Sequence, residues 1–445
     1  MTASASRLRT ERSEALARQA LDLIPGGVNS PVRAMRAIDR EPIYIERGEG
    51  CELVDVDGNR YVDWVCSWGP LILGHADPDV VDAVRDAAGR GTSFGAPTEA
   101  EVRLAAEVVD RFDSVEMLRL VSSGTEAAMS AVRLARAATG RDAIVKFAGA
   151  YHGHSDGLLA EGGSGLATHG TSPTAHASRS GAARSIPASP GVTEAQAAET
   201  AVVEWNDFEA VERAVAERPP AAILAEPIAA NMGVIAPAEG FLEHLRTLAD
   251  RHGALLVLDE VITGFRVARG GAQELLGVRA DITVMGKVLG GGLPAAAYGG
   301  SRELMERIAP AGDVYQAGTL SGNPLATAAG LATLAKLDAA AYERLGELTE
   351  RLARGLREAA AGLPVQVASV PGLVTPFFSP EPVLDFATAA AGADTYARFC
   401  RGLLERGIYP PPSAFEAWFV SLAHDGAAID RTVAAAEQAF AEALG

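Results

Sequence analysis

The chain has 445 residues, which is too long for a single hydrophobic core and predicts two or three subdomains. Its 39 Lys and Arg residues are outnumbered by 57 Asp and Glu residues, and the formal charge of −18 argues against a general affinity for nucleic acid or for an anionic membrane. Three widely spaced cysteines, the absence of a signal peptide and the absence of any apolar run near the roughly 20 residues of a membrane span favour a soluble cytoplasmic protein without disulfides.

Three zones follow one another along the chain. Residues 1–75 form an N-terminal segment with a predicted helix and short strands. Between 76 and 320, apolar runs alternate with helical patterns, which is typical of a large α/β domain with a mostly parallel central sheet and helices on both faces. Residues 321–445 predict a small α+β domain, to which the N-terminal segment also contributes. The predicted strands are 43–44, 52–56, 119–122, 144–147, 222–225, 255–258, 282–285, 296–299, 366–369, 373–378 and 418–421, and the predicted helices include 13–23 and 324–361.

A short turn after the strand at 119–122 is the first candidate binding element. Ser123, Gly124 and Thr125 precede a helix that would run to about residue 139, where Gly140 is placed to end it. Backbone N–H groups at the start of a helix form an anion site, so this turn predicts a cup for a phosphate. An ordinary helix with a Ser or Thr cap has the same sequence, and the turn becomes diagnostic only beside other cofactor-binding residues.

The segment 160–190 is rich in Gly, Ser, Thr, Ala and Pro and is unusually long for a connection. Two interpretations remain open. The segment is either a lid that closes over a binding site or a disordered surface loop.

Two ionisable residues follow two predicted buried strands. Asp259 comes after the strand at 255–258, and Lys287 comes after the strand at 282–285, just before the glycine run at 290–292. Because the carboxyl ends of parallel strands meet at one edge of a sheet, both side chains are expected there. A lysine walled by apolar residues can lose its proton and form a Schiff base. An amine of this kind with a carboxylate nearby is what pyridoxal phosphate requires, although a capping role for Asp259 remains open.

Several motifs together identify a family. The motifs SSGTEA, KFAGAYHGHSD, AEPIAANMGV, LDEVITGFR, MGKVLGGGLP and QAGTLSGNPLA resemble those of the class III pyridoxal-phosphate enzymes of fold type I. More narrowly, IPGGVNSPVR, CSWGP, WND and PPSAFEAWFVSLAH resemble the glutamate-1-semialdehyde 2,1-aminomutase family. The resemblance extends from about residue 24 to 424. It implies a fold-type I transferase that uses pyridoxal 5'-phosphate and pyridoxamine 5'-phosphate.

The resemblance also implies which residues hold the cofactor. Tyr151 would stack on the ring and Val261 would lie on its other face. Asn206 would lie near the ring hydroxyl, while Thr319 would reach the phosphate of a neighbouring subunit, which implies a homodimer with shared active sites. Ser123, Gly124, Thr125, Asp259 and Lys287 complete the set. His152 and His154, which follow Tyr151, have no accompanying set of carboxylates or thiolates, so no metal site is predicted.

A second set of residues is implied for the substrate. Ser30 and Arg33 would bind its single carboxylate, for which the planar guanidinium is suited. Trp68 would form a wall of the pocket, Ser164 would add a hydroxyl, and Glu416 would lie beside the substrate. Glu226 is either another wall residue or a carboxylate that only ends its strand.

The implied activity is an isomerisation in tetrapyrrole (porphyrin) biosynthesis. (S)-4-amino-5-oxopentanoate would become 5-aminolevulinate by transfer of an amino group through the cofactor and 4,5-diaminovalerate, with Lys287 moving the protons. A transient contact with the reductase that produces the substrate stays open. The alternatives are a class III omega-aminotransferase that uses an external keto acid, and a fold-type I protein without catalytic activity. The first would stop after one half-reaction without an acceptor, and the second would not bind the cofactor.

Overall fold

The computed structural model describes residues 8–160 and 187–445, and their strands lie in three sheets. The strands are β1 (Ile45–Glu49), β2 (Glu52–Asp55), β3 (Arg60–Asp63), β4 (Met117–Val121), β5 (Ile144–Phe147), β6 (Thr200–Val203), β7 (Ala222–Ala225), β8 (Leu255–Glu260), β9 (Ile282–Met285), β10 (Ala296–Gly300), β11 (Gln366–Val370), β12 (Leu373–Phe377), β13 (Ile408–Tyr409) and β14 (Trp418–Phe419). The α-helices are Glu11–Leu23, Pro78–Arg90, Glu99–Arg111, Gly124–Thr139, Glu194–Ala197, Phe208–Glu217, Phe241–His252, Gly271–Leu276, Arg302–Met305, Pro324–Ala335, Ala339–Ala359, Phe386–Ala390, Ala393–Glu405 and Gly426–Leu444.

The central sheet has seven strands in the order β4-β10-β9-β8-β7-β5-β6. The pairs from β9 through β6 are parallel, whereas β10 runs antiparallel to both β9 and β4. Strands β5, β7 and β9 are buried along their whole length because helices cover both faces of the sheet. The mostly parallel sheet predicted from the sequence is therefore confirmed.

Two smaller sheets lie outside the central one. The first has the order β1-β2-β3-β13, and its last strand comes from the C-terminal part of the chain and pairs parallel to β3. The second is the antiparallel sheet β11-β12-β14. The N-terminal and C-terminal segments thus share a sheet, as the α+β prediction expected, while the domain boundaries at 75 and 320 stay predictions.

Local differences from the predicted elements have simple causes. The predicted helix 324–361 is two helices, because the Asp338 side chain accepts a hydrogen bond from the Ala341 N–H and so caps a new helix at Ala339. The first strand begins at Ile45 rather than near 43, and β3, β6 and β13 were absent from the prediction. Strand β13 has only two residues, and β3 begins and ends with a charged residue, so neither presents an apolar run that can be recognised alone.

The carboxyl ends of the parallel strands position the candidate site. Strands β5, β7, β8 and β9 are neighbours or near neighbours, and each leads directly into residues singled out in the sequence analysis. This edge is where open parallel sheets place their ligands. Within the part of the chain that the structure describes, no helix combines the length and the apolar composition that crossing a membrane requires.

Candidate active site

Lys287 begins the turn that follows β9, and its backbone has a φ of 47°. A lysine in this left-handed region is under strain, which persists only where the surrounding structure fixes it. Desolvation lowers the pKa of the Lys287 amine, although the carboxylates of Glu416, Asp259 and Glu226 act in the opposite direction. Burial therefore increases the fraction of the neutral amine, the form that attacks an aldehyde.

The other two lysines of the chain have different surroundings. Lys336 lies 2.7 Å from Asp77 Oδ2 and 2.8 Å from Asp79 Oδ2, and these hydrogen bonds raise its pKa. Lys146 is buried and donates to the carbonyl oxygen of Leu158 at 3.1 Å. Of these lysines, Lys287 is the one that begins a turn directly after a strand of the central sheet, and burial lowers its pKa.

Asp259 lies on β8, the strand next to β9, so the sheet brings it to the same edge as Lys287. Its Oδ1 accepts the Val261 N–H at 3.0 Å, and its Oδ2 lies 2.7 Å from Nδ1 of the buried His152. Because an ionised carboxylate only accepts hydrogen bonds, His152 donates through Nδ1–H. The sequence pattern around His152 predicted no role for it beyond a poor metal ligand. Its position after β5, at the same sheet edge, was the available signal for this contact.

The predicted phosphate cup is the start of the helix Gly124–Thr139. The Ser123 hydroxyl accepts the Glu126 N–H at 3.2 Å, while Glu126 Oε2 accepts the Ser122 and Ser123 N–H groups at 2.6 and 3.1 Å. The Glu126 carboxylate is thereby held against the backbone of the loop. Helix geometry leaves the N–H groups of Gly124 and Thr125 without partners in the helix, and they are suited to a phosphate.

Tyr151 and Val261 both adjoin this cup. A Cβ atom added at Gly124 would lie 3.3 Å from Val261 Cγ2, and one added at Gly286 would lie 3.3 Å from Val261 Cγ1. In the segment that follows Tyr151, a Cβ atom at Gly153 would lie 2.6 Å from Thr125 Oγ1, so only glycine lets this segment pack so closely on Thr125. The phosphate cup therefore adjoins both the turn that contains Lys287 and the segment that carries Tyr151.

Two further carboxyl groups lie near Lys287. Burial raises the pKa of Glu226 to about 8 and that of Glu416 to about 7. Glu226 Oε2 accepts the Ala230 N–H at 3.0 Å, whereas its buried Oε1 has no hydrogen-bond partner among the described residues. Burial thus favours the protonated form of both carboxyl groups.

Asn206 is engaged elsewhere. Its amide nitrogen donates to the carbonyl oxygens of Leu384 at 3.0 Å and Ala236 at 3.3 Å, and its oxygen accepts the Ala238 N–H at 2.7 Å. Its predicted role near a ring hydroxyl stays a prediction. Asn231, which the sequence analysis did not select, lies beside Glu226 and donates to the Tyr151 carbonyl oxygen at 3.2 Å.

The remaining predicted residues lie in several places. Trp68 is half-buried in a turn whose next residue, Gly69, adjoins Lys287: a Cβ atom at Gly69 would lie 3.3 Å from Lys287 Cδ. Ser30 and Arg33 lie at a short helical turn of the N-terminal segment, and Arg33 is exposed. Thr319 lies on an exposed loop, and Ser164 and most of the predicted lid lie outside the described residues. The individual roles of all these residues stay predictions.

The residues present fit pyridoxal phosphate. An anion cup, an amine with a lowered pKa and a carboxylate held by His152 lie at one sheet edge, and buried Nε2 of His152 and Oε1 of Glu226 have no partners among the residues described. No group of three or more potential metal ligands occurs within residues 8–160 and 187–445.

Comparisons with known proteins agree with this fit. Residues 35–414 match the family model for aminotransferase class III, so the chain belongs to that family. It is 55% identical over 437 residues to the "Glutamate-1-semialdehyde 2,1-aminomutase" of Syntrophobacter fumaroxidans, with 97% of each chain covered. An omega-transaminase structure from Sphaerobacter thermophilus matches with a TM-score of 0.88 and 32% identity, covering 97% of this chain and 98% of that one.

A further solved structure concerns the cofactor. A variant of a glutamate-1-semialdehyde-aminomutase from Pseudomonas aeruginosa PAO1 in complex with PMP matches with a TM-score of 0.85 and 28% identity. The match covers 97% of this chain and 94% of that chain. The cofactor predicted from the sequence, pyridoxal or pyridoxamine phosphate, is thereby confirmed at the level of the family.

The buried acid Glu226 gives a testable pH dependence. Because its pKa of about 8 in the folded protein exceeds the ordinary value of 4.5, its contribution to stability is complete below pH 4.5 and is lost as the pH rises towards 8. We expect this loss of stability to be smaller in Glu226→Gln, whose amide does not titrate. Relative to the wild type, the free energy of unfolding of the variant should rise by about 2–4 kcal/mol between pH 5 and pH 8.5. Urea unfolding at both pH values measures this, with the exposed Glu217→Gln as the control. Parallel pH profiles for Glu226→Gln and the wild type would refute it.

Proposed function

We propose that the chain catalyses the glutamate-1-semialdehyde 2,1-aminomutase reaction, the conversion of (S)-4-amino-5-oxopentanoate to 5-aminolevulinate for tetrapyrrole biosynthesis. The observation that carries the proposal is the Lys287 amine at the carboxyl edge of the sheet, with Asp259, Glu226 and Glu416 around it. The 55% identity to a curated aminomutase over nearly the full length supports the choice of substrate.

The cofactor residues would act as follows. Bound pyridoxal phosphate supplies an electron-withdrawing ring, and its pyridoxamine form supplies an exchangeable amino group. The N–H groups of Gly124 and Thr125 would bind the phosphate, and Asp259, oriented by His152, would hold a proton on the ring nitrogen. Tyr151 and Val261 would confine the two faces of the ring.

The proton transfers fall to Lys287. Its Nζ removes a proton from the substrate carbon and returns one during the second half of the reaction, and the lowered pKa makes the neutral amine available for the first step. Glu416 lies close enough to influence the Lys287 charge and would adjoin the substrate. Ser30 and Arg33 would bind the substrate carboxylate, for which the bidentate guanidinium provides orientation.

The direct test is turnover without an amino acceptor. The reaction is an isomerisation, so the purified protein with its cofactor should convert a large excess of glutamate 1-semialdehyde to 5-aminolevulinate, measured by chromatography. A class III omega-aminotransferase, to which the 32% identical neighbour belongs by name, would form no more than about one product per site until a keto acid is added. That result would replace the proposal by the alternative.

We further propose a homodimer with shared active sites. Thr319 lies on an exposed loop between Tyr315 and Leu320, whose side chains are 72% and 52% exposed. This loop packs on the helix Glu99–Arg111, where Val102 is also 70% exposed, and a Cβ atom at Gly322 would lie 2.7 Å from Glu101 Cγ. Large apolar side chains exposed together are typical of a protein interface.

Substitutions in this loop test the dimer. We expect the wild type to have twice the 46.1 kDa chain mass by light scattering, and Leu320→Glu to shift the mass towards that of one chain with a loss of activity. Thr319→Val should leave the mass unchanged and weaken cofactor binding, which fluorescence titration measures. The exposed Leu384→Glu, away from this loop, serves as the control. A wild type of single-chain mass with full activity would rule the shared site out.

Location and partners complete the proposal. We also propose a cytoplasmic location, which the acidic composition supports. A transient contact with the reductase that supplies the unstable aldehyde would shorten its path. Co-sedimentation of the two proteins at low salt would detect such a contact.

A further inference from the structure

Arg266 is completely buried, six residues after the end of β8. Among the described residues no carboxylate lies within ion-pair distance of it. Its Nη1 donates to the carbonyl oxygens of Val420 at 2.9 Å and Gly372 at 3.4 Å, its Nη2 donates to that of Gly69, and its Cζ lies 5.2 Å from the centre of the Phe419 ring. A buried cation without an acid partner is costly to a protein, and so invites a functional explanation.

The three acceptors belong to separate parts of the chain. Gly372 immediately precedes β12, Val420 immediately follows β14, and Gly69 ends the turn after β3. Arg266 itself belongs to the segment that continues from the Asp259 strand. One guanidinium therefore connects the central sheet to both the N-terminal and the C-terminal segments. Glycine is favoured at 372, because its φ is 81° and a Cβ atom there would lie only 3.0 Å from Arg266 Cγ.

The turn held by Arg266 is strained. Cys66, Ser67 and Trp68 have φ values of 45°, 58° and 68°, three successive non-glycine residues in the left-handed region. Asp63 fixes the beginning of the turn, because its carboxylate accepts the Val65 N–H at 2.8 Å and the Cys66 N–H at 3.1 Å. Arg266 fixes its end through the Gly69 carbonyl oxygen. Without both anchors the strained conformation would relax.

Gly69 is also in contact with the lysine. A Cβ atom added to it would lie 2.6 Å from Phe419 Cε1 and 3.3 Å from Lys287 Cδ. Gly69 and Phe419 thus occupy the space between Arg266 and Lys287. The position of this turn decides how closely the Lys287 side chain is confined.

We propose that Arg266 is a positioning residue for the reaction: it anchors the strained 66–69 turn against the Lys287 side chain and sets an unpaired positive charge near the Lys287 amine. This inference deepens the proposed function and rests on it, because it requires Lys287 to be the amine that binds the cofactor.

The charges around Lys287 give the direction of the effect. Burial lowers the pKa of Arg266 to about 10, so it remains a cation at neutral pH. Glu416, Asp259 and Glu226 each raise the pKa of the Lys287 amine, and the positive charge of Arg266 lowers it. Removal of that charge therefore raises the Lys287 pKa and reduces the fraction of neutral amine at a given pH.

The experiment measures the amine without turnover. Full-length protein freed of cofactor is mixed with pyridoxal phosphate and cyanoborohydride between pH 6 and 10, and the mass added to the peptide that contains Lys287 gives the trapping rate. Arg266→Gln should shift the pH midpoint upwards and slow trapping at pH 7 by roughly threefold or more. Arg266→Lys, which keeps the charge, should keep the midpoint. The control is Arg269→Gln, because Arg269 forms a surface ion pair with Asp110.

A second readout tests the anchoring. Hydrogen exchange of the peptide 65–74 should be faster in both Arg266→Gln and Arg266→Lys, since an ammonium group cannot reproduce the fork that reaches three carbonyl oxygens. A wild-type midpoint in Arg266→Gln, or unchanged exchange in Arg266→Lys, would overturn the inference. If the wild type is trapped at Lys146 or Lys336 instead, the proposed function itself fails, and the two failures are thereby distinguished.

Discussion

Replacement of Lys287 by alanine is expected to reduce kcat for 5-aminolevulinate formation by about 10³-fold or more, because the amine that moves the protons is lost. The Gly124 and Thr125 N–H groups and Asp259 remain, so the variant should still bind pyridoxamine phosphate. Steady-state kinetics measures the first effect and fluorescence titration the second.

The matched control is Lys336→Ala. Lys336 is ion-paired with Asp77 and Asp79 at the surface, and its loss should leave kcat within about twofold of the wild type. Retention of full turnover by Lys287→Ala would remove the proposed proton carrier. Loss of both activity and cofactor binding would show instead that the lysine is needed to build the site.

Replacement of Asp259 by asparagine is expected to reduce kcat by about 10²-fold or more, since a neutral amide cannot stabilise a proton on the ring nitrogen as a carboxylate does. The amide oxygen can still accept the His152 proton or the Val261 N–H, so the fold should persist. The visible absorption spectrum and the kinetics of the purified variant, read together, measure the effect.

Asp250→Asn is the control for this substitution. Asp250 pairs with Arg246 on an exposed helix face, and its side chain is 65% exposed. We expect normal turnover from it. If Asp259→Asn retained wild-type kcat, then Asp259 would be a structural acceptor for His152 and Val261 rather than a partner of the ring.

The central strands could be predicted because each is a short apolar run between turn signals. Strands β5, β7 and β9 have the predicted bounds, and β8 continues two residues further to Glu260. The sequence separation between Asp259 and Lys287 matched one strand-helix-strand unit, and the two strands are indeed neighbours in the sheet. For these strands, the local sequence pattern and the number of residues between them were sufficient to predict their places in the sheet.

Contacts between distant segments could not be predicted in this way. The His152–Asp259 hydrogen bond joins residues 107 apart, and Arg266 meets carbonyl oxygens 106, 154 and 197 residues away. No periodicity in a single sequence encodes such pairings. The hydrogen bonds of Asn206 to Leu384 and of Asn231 to Tyr151 also join residues 178 and 80 positions apart.

The most direct test of the central claim is to locate the cofactor on the chain. The purified protein in its pyridoxal phosphate form is reduced with borohydride, digested and analysed by mass spectrometry. The chain has three lysines, so the result is unambiguous. The account predicts a modified peptide that contains Lys287 and unmodified peptides for Lys146 and Lys336. A cofactor found on either of those two lysines, or an unmodified Lys287 in active protein, would contradict it.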